Sequence, residues 1–173
     1  MKRSVDPLID EATIRRRVAE LAAEITSEFA GRDIVVLPVL KGGAVFGMDL
    51  IRALTIPVQL DFIRARSYEG GRSTGHVEFL AEPTLTLCGK TLLIVEDILD
   101  TGRTTSAIVE RLLEAQPAAV EVCVLLDKAS GRVVPINPRF VGFEIKDRFV
   151  IGYGLDYNEQ YRELPAIYTL DWE

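Results

Sequence analysis

The sequence predicts an α/β fold built on a mainly parallel sheet, and two observations carry that prediction. Three short apolar runs, IVVLPVL at residues 34–40, TLLIV at 91–95 and VEVCVLL at 120–126, have the length and β-branched content of strands buried on both faces. Segments with helical periodicity lie between them, and buried strands alternating with helices read as parallel-sheet units.

Taken in order, the first helix is expected over residues 11–30, where Ile14, Val18, Leu21, Ile25 and Phe29 recur at steps of three and four. The run at 34–40 follows as a buried strand, then a helical segment at 44–54 and a weaker strand candidate at 58–63. The stretch SYEGGRSTG at 67–75 is polar and glycine-rich, and reads as a water-excluding lid or as a long hairpin connection. The 91–95 strand, a helix over 104–115 closed by Pro117, and the 120–126 strand complete the alternation, with a further weak strand at 149–152. No repeat or low-complexity linker interrupts this order, so residues 1–173 are expected to form one domain.

Composition removes several functional classes. Apolar residues make up 48% and charged residues 27%, which argues for a packed core and against disorder. A formal net charge of −6 lacks the footprint of a general nucleic-acid or membrane-surface binder. The longest uncharged stretch, residues 53–60, falls far short of the roughly 20 residues that span a bilayer. Met1-Lys2-Arg3 has no apolar run behind it, so no secretory signal is expected. Cys88 and Cys123 are the only cysteines and are expected to be reduced, buried thiols of a cytoplasmic protein. With His76 as the single histidine, sites built from several histidines are excluded.

Ligands of parallel sheets collect at the carboxyl ends of the strands. After the 91–95 run come Glu96, Asp97, Asp100, Thr101, Gly102, Arg103, Thr104 and Thr105, three carboxylates followed by a hydroxyl- and glycine-rich helix start. Backbone N–H groups, hydroxyls and a helix N-terminus suit a phosphomonoester, while ionised carboxylates suit sugar hydroxyls or Mg²⁺. The plainer alternative is a helix start capped by Asp100 or Thr104. A Walker A loop is excluded, because Asp97 stands where its first glycine belongs. Lys41-Gly42-Gly43 after the 34–40 run is a second candidate phosphate cradle or a plain strand-to-helix turn. Lys128, after the third run, is either a donor to a ligand carbonyl or a solvated turn residue.

The segment from Val95 to Thr105 resembles the phosphoribosyl-pyrophosphate (PRPP) motif of the type I phosphoribosyltransferases. Over nearly its whole length the chain resembles their bacterial hypoxanthine-guanine branch. Leu40-Lys41-Gly42-Gly43 is similar to the pyrophosphate loop, and Ser67-Tyr68 to the opening of the flexible loop. Leu125-Leu126-Asp127-Lys128 is similar to the purine-contacting segment, and FVIGYGLDY at 149–157, continued to Pro165, is the most specific match.

The resemblance implies a parallel sheet flanked by helices, with a core at about residues 30–145 and a small hood from the N-terminal residues and about 146–173. It implies transfer of 5-phosphoribosyl from PRPP to hypoxanthine or guanine with Mg²⁺, giving IMP or GMP and pyrophosphate. By the same resemblance Glu96 and Asp97 hold ribose hydroxyls or the surroundings of the metal, and Asp100, Thr101, Gly102, Arg103, Thr104 and Thr105 hold the 5′-phosphate. Asp100 is also the implied general base for the purine N7 proton. Lys41, Gly42 and Arg162 are assigned to pyrophosphate, and relatives commonly carry a cis peptide before the residue at Lys41. Lys128 is assigned to the purine O6, Phe149 to stacking, the Val150 backbone to the base edge, and Asp156 to Mg²⁺ through water. Implied with these are a cytoplasmic homo-oligomer, dimer or tetramer, and no nucleic-acid or membrane partner. Two departures stand out: the acid Glu69 in the flexible loop, and Ala129-Ser130-Gly131-Arg132 where many relatives have proline after the lysine, with Gly131 expected to loosen that turn. A xanthine-preferring transferase and a PRPP-sensing nucleic-acid-binding regulator remain as alternatives.

Overall fold

Along the chain, β1 (Arg3–Ile9) leads into α1 (Glu11–Glu28), β2 (Ile34–Pro38), α2 (Gly43–Ala53) and β3 (Gln59–Leu60). The antiparallel pair β4 (Arg64–Ser67) and β5 (Val77–Ala81) precedes β6 (Thr91–Leu99), α3 (Arg103–Leu113) and β7 (Ala119–Asp127). A 3₁₀ turn (Ala129–Gly131), β8 (Phe140–Glu144), β9 (Val150–Ile151) and β10 (Ile167–Trp172) complete the order. These elements come from a computed structural model that describes residues 3–67 and 77–172. Tyr68 and the rest of the glycine-rich stretch to Gly75 lie outside the described residues.

The three apolar runs form the middle of a five-stranded sheet ordered β3-β2-β6-β7-β8, with every pairing parallel. Side chains alternate across it, so each of the three central strands feeds two cores. Val36, Leu93, Val95, Cys123 and Leu125 face α1 and α2, packing on Ile14, Leu21, Ile25, Phe46 and Leu50. Val35, Leu37, Leu92, Ile94, Val122 and Val124 face the other way, onto Ile108 and Leu112 of α3 and onto Ile63 and Leu87. This two-sided burial is why the runs are continuously apolar. The chain ends form a small separate sheet, β1-β10-β9, entirely antiparallel; it is the hood.

Several boundaries differ from expectation. Asp10 caps α1 by accepting from the Thr13 N–H at 2.7 Å, but the helix stops at Glu28 because Phe29 leaves helical geometry and turns its ring into the core. β2 ends at Pro38, two residues early, and the Leu40-Lys41 peptide is cis. The 58–63 strand shrinks to β3, and the residues after it pair with β5 instead. β6 and β7 continue past their apolar runs, because parallel pairing persists through Ile98↔Leu126 and Leu99↔Asp127. Glu96 and Asp97 are therefore strand residues rather than members of a following loop. β8 was not legible as a strand; it is held by pairing to β7, and Arg17 of α1 donates to the Val141 and Gly142 carbonyls at 2.8 and 3.1 Å. Cys123 is buried as expected, but Cys88 is exposed, since Leu87 takes the inward position beside it. No helix among the described residues is long and apolar enough to cross a membrane.

Asp61 latches the segment before β6 to the sheet. Its carboxylate accepts from the N–H groups of Phe62, Thr84 and Leu85 at 2.8, 2.6 and 3.0 Å. Partial burial alone would raise its pKa, but these three donors and the Thr84 hydroxyl at 3.1 Å outweigh it and hold the group below its ordinary 3.8. A carboxylate held low contributes stability above its unfolded value, and that contribution is lost as pH falls through the folded value. Asp61→Asn is expected to lower stability at pH 7 and to flatten the dependence on pH below about 4. Urea unfolding at pH 7 and pH 3 checks this; parallel losses at both pH values would refute it.

Candidate active site

The extension of β6 carries Glu96 and Asp97 into the protein. Glu96 is 5% exposed, and its Oε2 accepts the hydroxyl of Thr105 from the first turn of α3. Burial pushes Glu96 up to about 8; the Thr105 hydroxyl and Arg132 oppose the rise, and the charge of Asp97 adds to it. Asp97 is pushed up to about 6, again chiefly by burial. Backbone N–H groups and Arg162 pull it back, and Asp156 adds to the rise. Gly42 packs directly on Asp97, leaving no room for a Cβ. The Lys41-Gly42 turn after β2 and the carboxylate of β6 are thus in contact. The Thr105 hydroxyl, expected to face a phosphate, is instead committed to Glu96, because Thr105 is 2% exposed on the buried side of α3.

Between β6 and α3 the chain turns at Gly102, whose φ of 81° is left-handed and favours glycine. The N-cap position of α3 is Gly102, not the expected Asp100 or Thr104, and it has no side chain to cap the helix. The first-turn N–H groups and the loop backbone make the arrangement that binds oxyanions. Thr101 accepts the Arg103 N–H at 3.5 Å, and Arg103 is exposed.

The loop is braced from behind by the segment after β7. Val133 and Val134 donate to the Thr101 carbonyl at 2.9 and 3.0 Å. Arg132 pairs with Asp127 and donates to the carbonyls of Asp100 and Ile136 at 3.0 and 2.8 Å. Sequence reasoning noted Arg132 only as part of a departure and missed this clamp; no local pattern signals it. Gly131 does not loosen the turn. It packs against the Asp100 carboxylate with no space for a Cβ, which makes that corner tight.

Lys128 is 7% exposed, so it is not a solvated turn residue. Its ammonium bonds Asp100 Oδ2 at 3.1 Å and Asp147 Oδ1 at 2.8 Å. Burial lowers its pKa, but the Asp147 and Asp100 carboxylates outweigh that and hold it above the ordinary lysine range. Asp147 ties this point to the residues leading into Phe149. The Phe149 ring is 46% exposed and meets Tyr157 edge-on at 5.8 Å, so it does not fill the core. Val150 is buried and pairs with Thr169 in the hood sheet.

On the hood side, Asp156 bonds Arg162 at 2.8 Å and accepts the Glu159 N–H at 2.8 Å. Arg162 also donates to the Gly154 carbonyl at 2.6 Å, and Lys41 pairs with Glu159 at 2.9 Å. Ser67 ends β4. The structure thus links Lys41, Gly42, Asp97, Asp156 and Arg162 in one group and Asp100, Lys128 and Asp147 in another, with Glu96 and Thr105 beneath the same strand end. A separate cleft of about 680 Å³ between α1, α2 and residues 162–165 shares only Arg162 with these groups.

Known proteins match this chain over most of its length. The phosphoribosyl transferase domain family matches residues 4–158. A hypoxanthine phosphoribosyltransferase of Salmonella typhimurium is 42% identical over 170 residues, covering 96% of each chain. A hypoxanthine-guanine phosphoribosyltransferase of Aquifex aeolicus is 42% identical over 166 residues, covering 95% of this chain and 93% of its own. The crystal structure of a hypoxanthine phosphoribosyltransferase from Staphylococcus aureus superposes with a TM-score of 0.93 at 40% identity, covering 96% of this chain and 91% of that one.

The Arg132 clamp yields a prediction about stability. Its side chain and that of Asp127 are 14% and 13% exposed, so removing the cation strands a largely buried carboxylate. Arg132→Met is expected to destabilise the fold by about 2–4 kcal/mol, and adding Asp127→Leu to recover part of that. An unchanged denaturation midpoint in the single variant would rule the clamp out.

Proposed function

The chain belongs to the phosphoribosyl transferase family, and on that premise we propose that it moves the 5-phosphoribosyl group of PRPP onto hypoxanthine or guanine, giving IMP or GMP and pyrophosphate. The observation that carries the choice of base is the Lys128–Asp100 pair, 3.1 Å apart at the adjoining ends of β6 and β7. An ammonium held protonated is a donor only. It suits the O6 carbonyl of a 6-oxopurine and offers nothing to the amino group of adenine. O6 and N7 are neighbours on one purine edge, and an ammonium and a carboxylate side by side match that edge. Asp100 accepts that proton as the purine nitrogen bonds to the ribose carbon and the bond to pyrophosphate breaks.

The remaining residues take supporting roles. The loop from Asp100 to Gly102 and the start of α3 bind the 5′-phosphate, with Thr101, Arg103 and Thr104 around it. Thr105 contributes backbone while its hydroxyl steadies Glu96. Glu96 and Asp97 receive the ribose hydroxyls, Lys41, Gly42 and Arg162 receive pyrophosphate, and Phe149 and the Val150 backbone receive the base. Ser67 and Tyr68 are assigned, by the resemblance alone, to keeping water from the transition state.

Mg²⁺ suits this donor set. The charge of Asp156 adds to the rise in the Asp97 pKa, a conflict that a divalent cation relieves. Among the described residues no group of three or more His, Cys, Asp or Glu side chains forms a protein cage. Mg²⁺ commonly takes one or two carboxylates and fills its other positions with water and substrate phosphates. Asp97 and Asp156, with Glu96 nearby, would hold it there, and it would supply neutralisation of the leaving diphosphate. In this reading residues 1–173 act as one phosphoribosyltransferase domain, in the cytoplasm, as a dimer or tetramer whose size sedimentation measures.

The test is turnover of PRPP with Mg²⁺ against hypoxanthine, guanine, xanthine, adenine and uracil. Nucleotide formation with the first two is expected, and saturable PRPP binding without turnover of any base would refute the proposal. Asp100→Asn is expected to lower kcat by about 100-fold or more while the KM for PRPP stays within about threefold; equal losses would leave Asp100 a binding role only. Lys128→Met is expected to raise the KM for hypoxanthine about tenfold or more with PRPP binding intact, and unchanged purine affinity would remove the O6 contact.

A further inference from the structure

Glu159 carries an arrangement that the reaction as described does not use. It lies in a turn where Asn158, Glu159 and Tyr161 all have left-handed backbone, with φ of 52°, 63° and 77°, a conformation uncommon for residues with side chains. Tyr157 and Gln160 bond each other through both N–H groups at 3.1 Å, and the Glu159 N–H is fixed to Asp156 at 2.8 Å. This backbone delivers the carboxylate between two cations. Glu159 Oε2 accepts from Lys41 Nζ at 2.9 Å and from Arg162 Nη2 at 3.2 Å. Lys41 follows β2 and Arg162 precedes β10, so one oxygen links the core to the hood. Arg162 Nε is buried and has no hydrogen-bond partner among the described residues, leaving the guanidinium with an unmet donor there.

We propose that Glu159 sets how tightly this enzyme holds pyrophosphate: its carboxylate occupies the anion position between Lys41 and Arg162 and has to leave before the diphosphate engages them. The inference rests on the assignment of Lys41 and Arg162 to pyrophosphate. Glu159 suits the role because its side chain is 64% exposed and swings away at little cost, exposed ion pairs being weak. Lys41 first and then Arg162 hold it below the ordinary glutamate range, so it is a full anion near neutral pH. A diphosphate brings more charge and more acceptors than one carboxylate and displaces it. After the reaction Glu159 returns to the same cations and so lowers the net affinity for the departing product.

The experiment is calorimetric titration of inorganic pyrophosphate, with Mg²⁺ in excess, into the wild type, Glu159→Gln and Glu163→Gln. Glu163 is exposed in the same segment and makes none of these contacts, so it controls for net charge. Glu159→Gln is expected to bind pyrophosphate about fivefold more tightly, with the KM for hypoxanthine unchanged and Glu163→Gln like the wild type. Unchanged or weaker binding in Glu159→Gln overturns the proposal, weaker binding meaning that Glu159 positions the cations. Equal tightening in Glu163→Gln also overturns it, as a plain charge effect. Wild-type turnover of PRPP with hypoxanthine is measured alongside. Its absence fails the transferase reading and this proposal together, whereas turnover without the variant effect fails this proposal alone.

Discussion

Burying Glu96 fully and Asp97 in part near the end of β6 opposes folding, because each carboxylate loses hydration that the strand's surroundings do not replace. Much of the surrounding structure answers that penalty. Thr105 gives its hydroxyl to Glu96, Arg132 and Arg162 lend positive potential, and the N–H of Ile98 faces Asp97. The compensation is partial, since both groups remain displaced toward their neutral forms. Sites whose groups are displaced in this way are poised to gain from a ligand that supplies hydroxyl donors or a cation.

The same constraint orders the parts around the strand end. The Lys41-Gly42 turn is pressed on Asp97, so the cation it carries is placed by the carboxylate it covers. Asp100 is set by Gly131 packed against its side chain and by Arg132 bonded to its carbonyl. Arg132 is in turn anchored by Asp127, the last residue of β7. Lys128 follows immediately, and its ammonium reaches back to Asp100 and across to Asp147 before Phe149. Opposite charges thus pair in two groups, Asp100–Lys128–Asp147 between β6, β7 and the segment before Phe149, and Asp156–Arg162–Glu159–Lys41 between the hood and the turn after β2. Within each group the charges are paired with one another, so on the proposed function a charged ligand would enter by exchange of partners. Exchange costs less than desolvating bare charges and lets products leave.

The hood follows different physics. β1 and β10 come from opposite ends of the chain, and β9 joins through only two residue pairs, Tyr168↔Ile151 and Thr169↔Val150. This small sheet holds Val150 while Phe149 stays partly in solvent beside Tyr157. Placing an exposed aromatic next to a pinned strand keeps a stacking surface available without dismantling core packing.

The sequence by itself determined the layers. Strands buried on both faces must be continuously apolar, so β2, β6 and β7 were visible as runs, and α1 showed as a stripe of Ile14, Val18, Leu21 and Ile25. The order of the strand-end residues carried the resemblance to the family and named the candidate site residues, because phosphate and carboxylate chemistry restrict residue type within a few positions. Tertiary structure decided the rest, where a residue's role depends on a partner far along the chain. Ile98 and Leu99 are strand only because β7 pairs with them, and β8 only because β7 lies beside it. Thr105 turned inward, Gly131 tightened rather than loosened, and Arg132 and Glu159 became a clamp and a counter-anion through contacts that no local pattern contains. Burial and pairing of that kind belong to the folded arrangement, in which low dielectric and fixed geometry give an ordinary side chain its specific task.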